Sequence, residues 1–214
     1  CPSGVQYDTL IEQTRAQVER NHERPAKDKA LRGLIFSLFP HPRRLKLLRG
    51  PLRVVQAIGL DKAIRRTGLL ERMSPQLAAM ESLAPRLGRP EPLPPYIRAT
   101  GQRRAVVGLL TGCVQGAFFP GVNSATARVL QAEGLDVVVP ASQGCCGALS
   151  VHNGREEEAQ RFARRLVDSF EASGVEYVVV NAAGCGSTMK EYAQLLSDDP
   201  AYAERARVFA QKVR

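Results

Sequence analysis

Five cysteines carry most of the chemistry open to this sequence: Cys1, Cys113, Cys145, Cys146 and Cys185. Thirty-one residues separate Cys113 from Cys145, and 38 lie between Cys146 and Cys185. Adjacent cysteines such as Cys145 and Cys146 make a poor structural disulfide with each other, because the geometry strains the backbone. An odd count without a secretory signal points to metal or redox chemistry rather than a disulfide framework. Each second-half cysteine has glycine nearby: Gly112, Gly144, Gly147, Gly184 and Gly186. Glycine lets the chain turn tightly and approach a bulky group. Thiolates on such loops suit a metal or cluster that needs soft ligands. Two other readings stand beside this one. Cysteines also serve as small inert core side chains, and Cys145–Cys146 would also serve as a redox-active thiol pair.

What brings these cysteines together is an alternation of strand and helix. Ala105–Leu110 is apolar and partly β-branched, as a buried parallel strand is. Val137–Val139 and Tyr177–Val180 read as two more strands. Helices are expected at Ser124–Glu133, ended by Gly134, at Gly154–Ala172, at Thr188–Leu196 and at Ala201–Val213. Glu156–Glu158 stand where negative charge suits a helix start. This order gives an α/β domain with a parallel sheet and helices on its faces. Cys113, Cys145, Cys146 and Cys185 each follow a strand. The carboxyl ends of parallel strands gather on one edge, so all four converge in space. Taken singly, each is as well explained as a core residue. Together, at equivalent strand ends, they read as metal ligands.

The first half is expected to be all helical. Helices are read at Asp8–Glu23, from Pro25 with Leu31, Leu34, Ile35 and Leu38 on one stripe, from Arg43 with Leu45, Leu48, Leu52 and Val55, at Asp61–Leu70, and at Ser74–Leu83. Pro51 is a potential kink in the third. Ser74–Pro75 suits an N-cap with proline after it. Pro85, Pro90, Pro92, Pro94 and Pro95 then forbid a helix and favour an extended connector.

The chain has 214 residues and a formal net charge of +9. Residues 1–104 hold 20 Lys/Arg against 9 Asp/Glu, whereas residues 105–214 hold 10 against 12. The basic half suits an acidic protein partner, an anionic membrane surface, or simply a solvated helix face. Nucleic acid is disfavoured, since no recognition module or interleaved aromatics accompany the charge. No apolar run approaches the roughly 18–20 residues needed to span a bilayer. The sequence opens on Cys1 rather than Met, as a trimmed or partial chain that had lost an N-terminal targeting signal would.

The stretch Leu110-Thr-Gly-Cys-Val-Gln, then Gly144-Cys-Cys-Gly-Ala-Leu-Ser, then Ala183-Gly-Cys-Gly-Ser-Thr-Met-Lys-Glu-Tyr closely resembles the iron–sulfur subunit of bacterial glycolate oxidase. It is similar to the cysteine-rich CCG domain of heterodisulfide reductase subunits. The family pattern ends Cys-x-x-Cys, whereas here Cys185 is followed by Gly186, Ser187 and Thr188, leaving four thiols. Cys1-Pro2 resembles the end of a C-x₂-C-x₂-C-x₃-C-P ferredoxin run. The resemblance implies that Cys1 binds a 4Fe-4S cluster of a ferredoxin-type module. It also implies that Cys113, Cys145, Cys146 and Cys185 are metal ligands holding a further cluster or zinc.

The expected organisation is residues 1–7 as the end of that module, 8–84 as a helical linker region, 85–100 as the Pro-rich connector, 101–198 as the CCG domain, and 199–214 as a helix leading toward a second CCG repeat. On this view the chain is a fragment of a longer subunit. The resemblance further implies partnership with FAD-containing subunits that oxidise glycolate to glyoxylate. Electrons would pass to a quinone-type acceptor, in the cytoplasm or peripherally at the inner face of the cell membrane. No catalytic residue is expected in this chain. A zinc-structured docking module, or the iron–sulfur subunit of a lactate or glycerol-3-phosphate dehydrogenase, are the alternatives. His152 reads as a loop histidine or as a donor near the centre. Lys190, Glu191 and Tyr192 read as a solvated helix face.

Overall fold

The computed structural model describes residue 4, residues 7–89 and residues 91–214. Cys1, expected to bind a ferredoxin-type cluster, lies outside the described residues, as does Pro90.

Six helices fill the first half: α1 (Tyr7–Asn21), α2 (Ala26–Leu38), α3 (Pro42–Ala57), α4 (Leu60–Thr67), α5 (Leu69–Met73) and α6 (Pro75–Ser82). Prolines punctuate them as their missing N–H groups allow. Pro25 caps α2 and Pro42 opens α3. Pro51 lies inside α3, which is assigned as one helix across it. The helix expected over 61–70 is divided, because Gly68 adopts φ +61° and closes α4 before α5 restarts.

The apolar stripe expected on α2 is corrected. Leu31 and Leu34 are exposed, and the buried residue is Phe36. The guanidinium groups of Arg155 and Arg32 lie over its ring, 4.4 and 5.4 Å from the ring centroid. The face that matters on α2 was therefore set by a partner from the second half, which periodicity cannot reveal. Leu45 of α3 is also fully buried, but Leu48, expected on the same stripe, is exposed.

The second half follows as β1 (Tyr96–Ile97), β2 (Ala105–Leu110), α7 (Val114–Phe118), α8 (Pro120–Ala132), β3 (Leu135–Val138), α9 (Ala148–Val151), α10 (Glu156–Glu171), β4 (Tyr177–Val180), α11 (Ala183–Lys190), α12 (Tyr192–Leu195) and α13 (Ala203–Lys212). The sheet order is β1-β3-β2-β4, with β2 parallel to both β3 and β4. The α/β class and the three parallel strands agree with the sequence reading. The antiparallel edge strand β1 was not expected within a proline-rich segment. Asp136 holds it in place: its carboxylate accepts from the Tyr96 hydroxyl and, at 2.7 Å, from the Ala99 N–H.

The sheet is covered on both faces. Leu110 and Val178 meet Leu166, Val167 and Phe170 of α10 together with Met189, Tyr192 and Phe209. Val107, Leu109 and Val137 meet Ala127 of α8. The buried positions of α10, Ala159, Ala163, Leu166, Val167 and Phe170, recur at three- and four-residue spacing as an amphipathic helix requires. Gly108 makes this packing possible, since a β-carbon there would stand 2.7 Å from the Phe170 ring.

From the segment 199–214, expected to lead toward another repeat, Ala206, Phe209 and Val213 pack into this core. Phe209 stacks on Tyr192 at 5.5 Å between centroids. The Arg214 N–H donates to Val178 O and the Val180 N–H donates to Arg214 O, so the chain's last residues lie along β4.

Candidate metal centre

Each second-half cysteine sits where a strand gives way to a helix. Cys113 caps α7, Cys145 and Cys146 precede α9, and Cys185 lies in the first turn of α11. The helix expected from Thr188 thus begins at Ala183, and Cys185 stands on it rather than on a loop. The reason is local: with small residues on both sides of Cys185, the first turn forms directly at the strand end. The expected helix at 188–196 is further divided at Glu191. Helix starts present unpaired N–H groups and positive dipole ends, which favour thiolates.

The four thiols make a series of near neighbours. Cys113 Sγ lies 3.7 Å from Cys145 Sγ. Cys146 lies near enough to Cys145 and Cys185 for each to perturb the protonation of the other. Cys145 and Cys146 are almost fully buried, while Cys113 and Cys185 are partly exposed. Proton affinity alternates along this series. Hydrogen bonds from Cys145 and Cys185 hold Cys146 down, to about 3, against its burial. A hydrogen bond from Cys145 likewise holds Cys113 below the usual thiol range. Cys145 is pushed up by donating to Cys113 and Cys146 and by burial, and Cys185 by donating to Cys146 and by burial. Four adjacent anions in so little water repel one another, so alternate thiols keep their protons.

Glycine shapes the two turns. Gly112 and Gly147 take φ +70° and +84°, and Gly147 places its N–H 3.4 Å from Cys145 Sγ. A β-carbon on Gly147 would press on the Ala159 backbone of α10 at 3.1–3.2 Å. Among the described residues, no three His, Cys, Asp or Glu side chains are grouped as donors for a metal ion.

Several supporting residues were not legible beforehand. Tyr192, read as solvated helix face, is fully buried and donates to the Cys146 carbonyl at 2.6 Å. Gln143 accepts from the Thr111 N–H at 2.8 Å and donates to Leu109 O, tying the end of β2 to the loop before Cys145. Asn123 donates to Thr111 O and Asn181 donates to Asn123, linking α8 to the end of β4. Amides at 123, 143 and 181 carry no spacing signal, standing thirteen, five and one residues after the strand ends at Leu110, Val138 and Val180.

His152 does not pair with a thiol. Its Nδ1 lies 2.6 Å from the Glu12 carboxylate, and its Nε2 lies 3.5 Å from the Thr188 hydroxyl. Thr188 itself is buried where the resemblance predicts another cysteine. Arg15 donates to His152 O and Arg32 to Asn153 O, so α1 and α2 clasp the segment that follows the cysteine pair.

This two-part architecture is matched by known proteins. A family model described as the linker region of the glycolate oxidase iron-sulfur subunit matches residues 27–84, and a cysteine-rich domain matches residues 107–190. The chain belongs to the family of glycolate oxidase iron–sulfur subunits. It is 34% identical over its full length to the "Probable glycolate oxidase iron-sulfur subunit" of Bacillus subtilis (strain 168), covering 49% of that protein. It is 33% identical to the "Glycolate oxidase iron-sulfur subunit" of Escherichia coli (strain K12), over 97% of this chain and 46% of that one. The "Lactate utilization protein A" of Exiguobacterium sp. (strain ATCC BAA-1283 / AT1b) matches 50% of the chain at 34% identity, over 43% of its own length. The chain spans about half the length of the glycolate oxidase relatives it matches. No solved structure matches it.

Proposed function

We propose that this chain is an electron-transfer part of an iron–sulfur subunit in a glycolate dehydrogenase-type complex. The observation that carries the reading is the approach of four thiols from three strand ends, with Cys113 Sγ 3.7 Å from Cys145 Sγ. An iron–sulfur group held there would accept and return single electrons. The donor types suit such a group, with soft sulfur ligands, glycine turns beside them and helix starts that stabilise thiolate, and binding would have to draw the thiols in, since among the described residues no three of them are grouped around one point. Tyr192 and Gln143 hold the ligand loops, and burial of Cys145 and Cys146 keeps water from the centre.

In this reading a flavin-containing partner subunit oxidises glycolate to glyoxylate, and the electrons pass through this chain toward a quinone-type acceptor. Cys1 would ligate a 4Fe-4S cluster of a ferredoxin-type module. The complex would work in the cytoplasm or peripherally at the inner membrane face; no described helix is long and apolar enough to cross a membrane. The names of the two relatives matched over nearly the whole chain favour glycolate. The matches to lactate utilization proteins over half the chain favour lactate as the second reading. Zinc held by the same four cysteines, structuring a docking module, is a further reading for the cysteine-rich domain.

Iron, sulfide and zinc analysis of anaerobically purified protein, with electron paramagnetic resonance after reduction, tests this. Iron with sulfide and a reduced-state signal that Cys146→Ser removes is the expected result. Zinc alone would sink it. The chain by itself is expected to show no glycolate turnover until the flavoprotein is added.

A further inference from the structure

Beside the thiols runs a groove of about 1170 Å³. One wall is α3, the other is formed by residues around Pro92, Pro95 and Pro140, and Gly112, Gly144 and Cys145 reach its floor. Its charge is one-sided. Arg43, Arg44, Lys46, Arg49 and Arg53 line it from α3 and Arg165 from α10, against the single carboxylate of Glu91. Among the described residues, none of these six cations pairs with a carboxylate. Arg44, Arg49 and Arg165 donate to backbone carbonyls only, those of Ser37, Gly88 and Ser142. A protein that leaves so many cations facing one concave surface gains attraction for anions there, because the walls focus the field.

We propose that this groove docks an extended acidic segment of a partner protein. The spacing of the cations selects the occupant. Arg43 to Arg53 spans ten residues of helix, about 15 Å at ~1.5 Å per residue. An extended segment of five residues covers about the same length at ~3.3 Å each. One carboxylate or phosphate engages only a fraction of such a row. A membrane surface is blocked by shape, since a bilayer cannot follow a concave floor flanked by proline walls. An acidic strand fills the length, meets the charge and places its owner beside Cys145. That placement matters for electron transfer only if the thiols hold a redox group, so the inference rests on the proposed function; the binding itself is measured without it.

The test uses a fluorescein-labelled pentaglutamate peptide with the purified full-length chain, followed by fluorescence anisotropy. Saturable binding that weakens with added salt is expected. Arg43→Glu with Lys46→Glu should weaken it about tenfold or more, and Arg43→Gln with Lys46→Gln by less. Arg98→Glu with Arg128→Glu makes the same charge change outside the groove and should alter binding by no more than about twofold. Thermal melts check that each variant is folded. Absence of saturable binding, or equal loss in the control variant, overturns the proposal. Full displacement of the peptide by millimolar inorganic phosphate would make this a small-anion site. Groove-dependent flotation with phosphatidylglycerol vesicles, without peptide binding, would make it a lipid site. Either outcome rejects peptide docking. Peptide binding to protein that holds no iron–sulfur group would leave the groove standing and reject the electron-transfer reading; the reverse result would do the opposite.

Discussion

The Tyr192 hydroxyl donates to the Cys146 carbonyl at 2.6 Å, from a side chain with no solvent exposure. That bond crosses from α12 to the turn bearing the cysteine pair, and the same ring stacks on Phe209 of α13. Tyr192→Phe keeps the stacking and strands a buried carbonyl, so unfolding stability should fall by about 1–3 kcal/mol. Tyr192→Ala removes both and should cost about 3–5 kcal/mol, in line with other large aromatic truncations. Denaturant titration of the two variants checks the order. Equal losses would mean that the hydroxyl contributes nothing.

Serine substitution of the thiols should separate ligands from bystanders. Cys113→Ser, Cys145→Ser, Cys146→Ser and Cys185→Ser are each expected to lower bound iron and its visible absorption. Cys145→Ser and Cys146→Ser should have the largest effects, because these two are almost fully buried and each neighbours two other thiols. Metal quantification on anaerobically prepared variants reads this directly. Full iron retention in any one variant removes that cysteine from the ligand set. Stripping iron from the native protein with a chelator should also lower its melting temperature, since a group that binds only the folded chain stabilises it.

Asp136 gives the edge strand a dependence on pH. The Tyr96 hydroxyl and the Ala99 N–H, with Arg103 nearby, hold its carboxyl below the usual carboxylate range. A carboxylate whose folded pKa is depressed contributes stability above its unfolded pKa, near 4, and loses it as pH falls through the folded value. Native protein should therefore lose stability below about pH 4–5 more steeply than Asp136→Asn. Urea titrations from neutral to acidic pH check this. Parallel profiles would show that another carboxylate governs the acid limb.

Gly154 should prove necessary to the clasp between α1 and the cysteine-rich domain. It adopts φ +78°, and a β-carbon there would collide with the Arg15 backbone. Gly154→Ala combines strain with this clash and should destabilise the protein by about 1–3 kcal/mol. It should also raise hydrogen exchange in α1 more than in β2. Uniform exchange across both elements would show that the two halves unfold as one unit.

The strands, the α/β class and the convergence of the cysteines were legible because parallel strands announce themselves. Ala105–Leu110 and Tyr177–Val180 are continuous apolar runs, and their ends share one sheet edge whatever the details. Helix α10 was legible for the same reason, with period 3.6 in place of a continuous run. By contrast, the two-residue strand β1 owes its existence to Asp136, forty residues later in sequence from Tyr96. Propensity alone reads the surrounding prolines as a connector.

From the sequence itself came the four ligand candidates, the glycine turns and the one-sided charge of the first half, because residue type and local spacing determine these. The tertiary structure decided the rest. It set Cys113 beside Cys145 and buried Tyr192 against the turn of the cysteine pair. It turned Phe36 toward Arg155 and aimed the cations of α3 at the groove beside Cys145. Each of these joins residues far apart in the chain, and such a meeting depends on how elements pack rather than on any local preference.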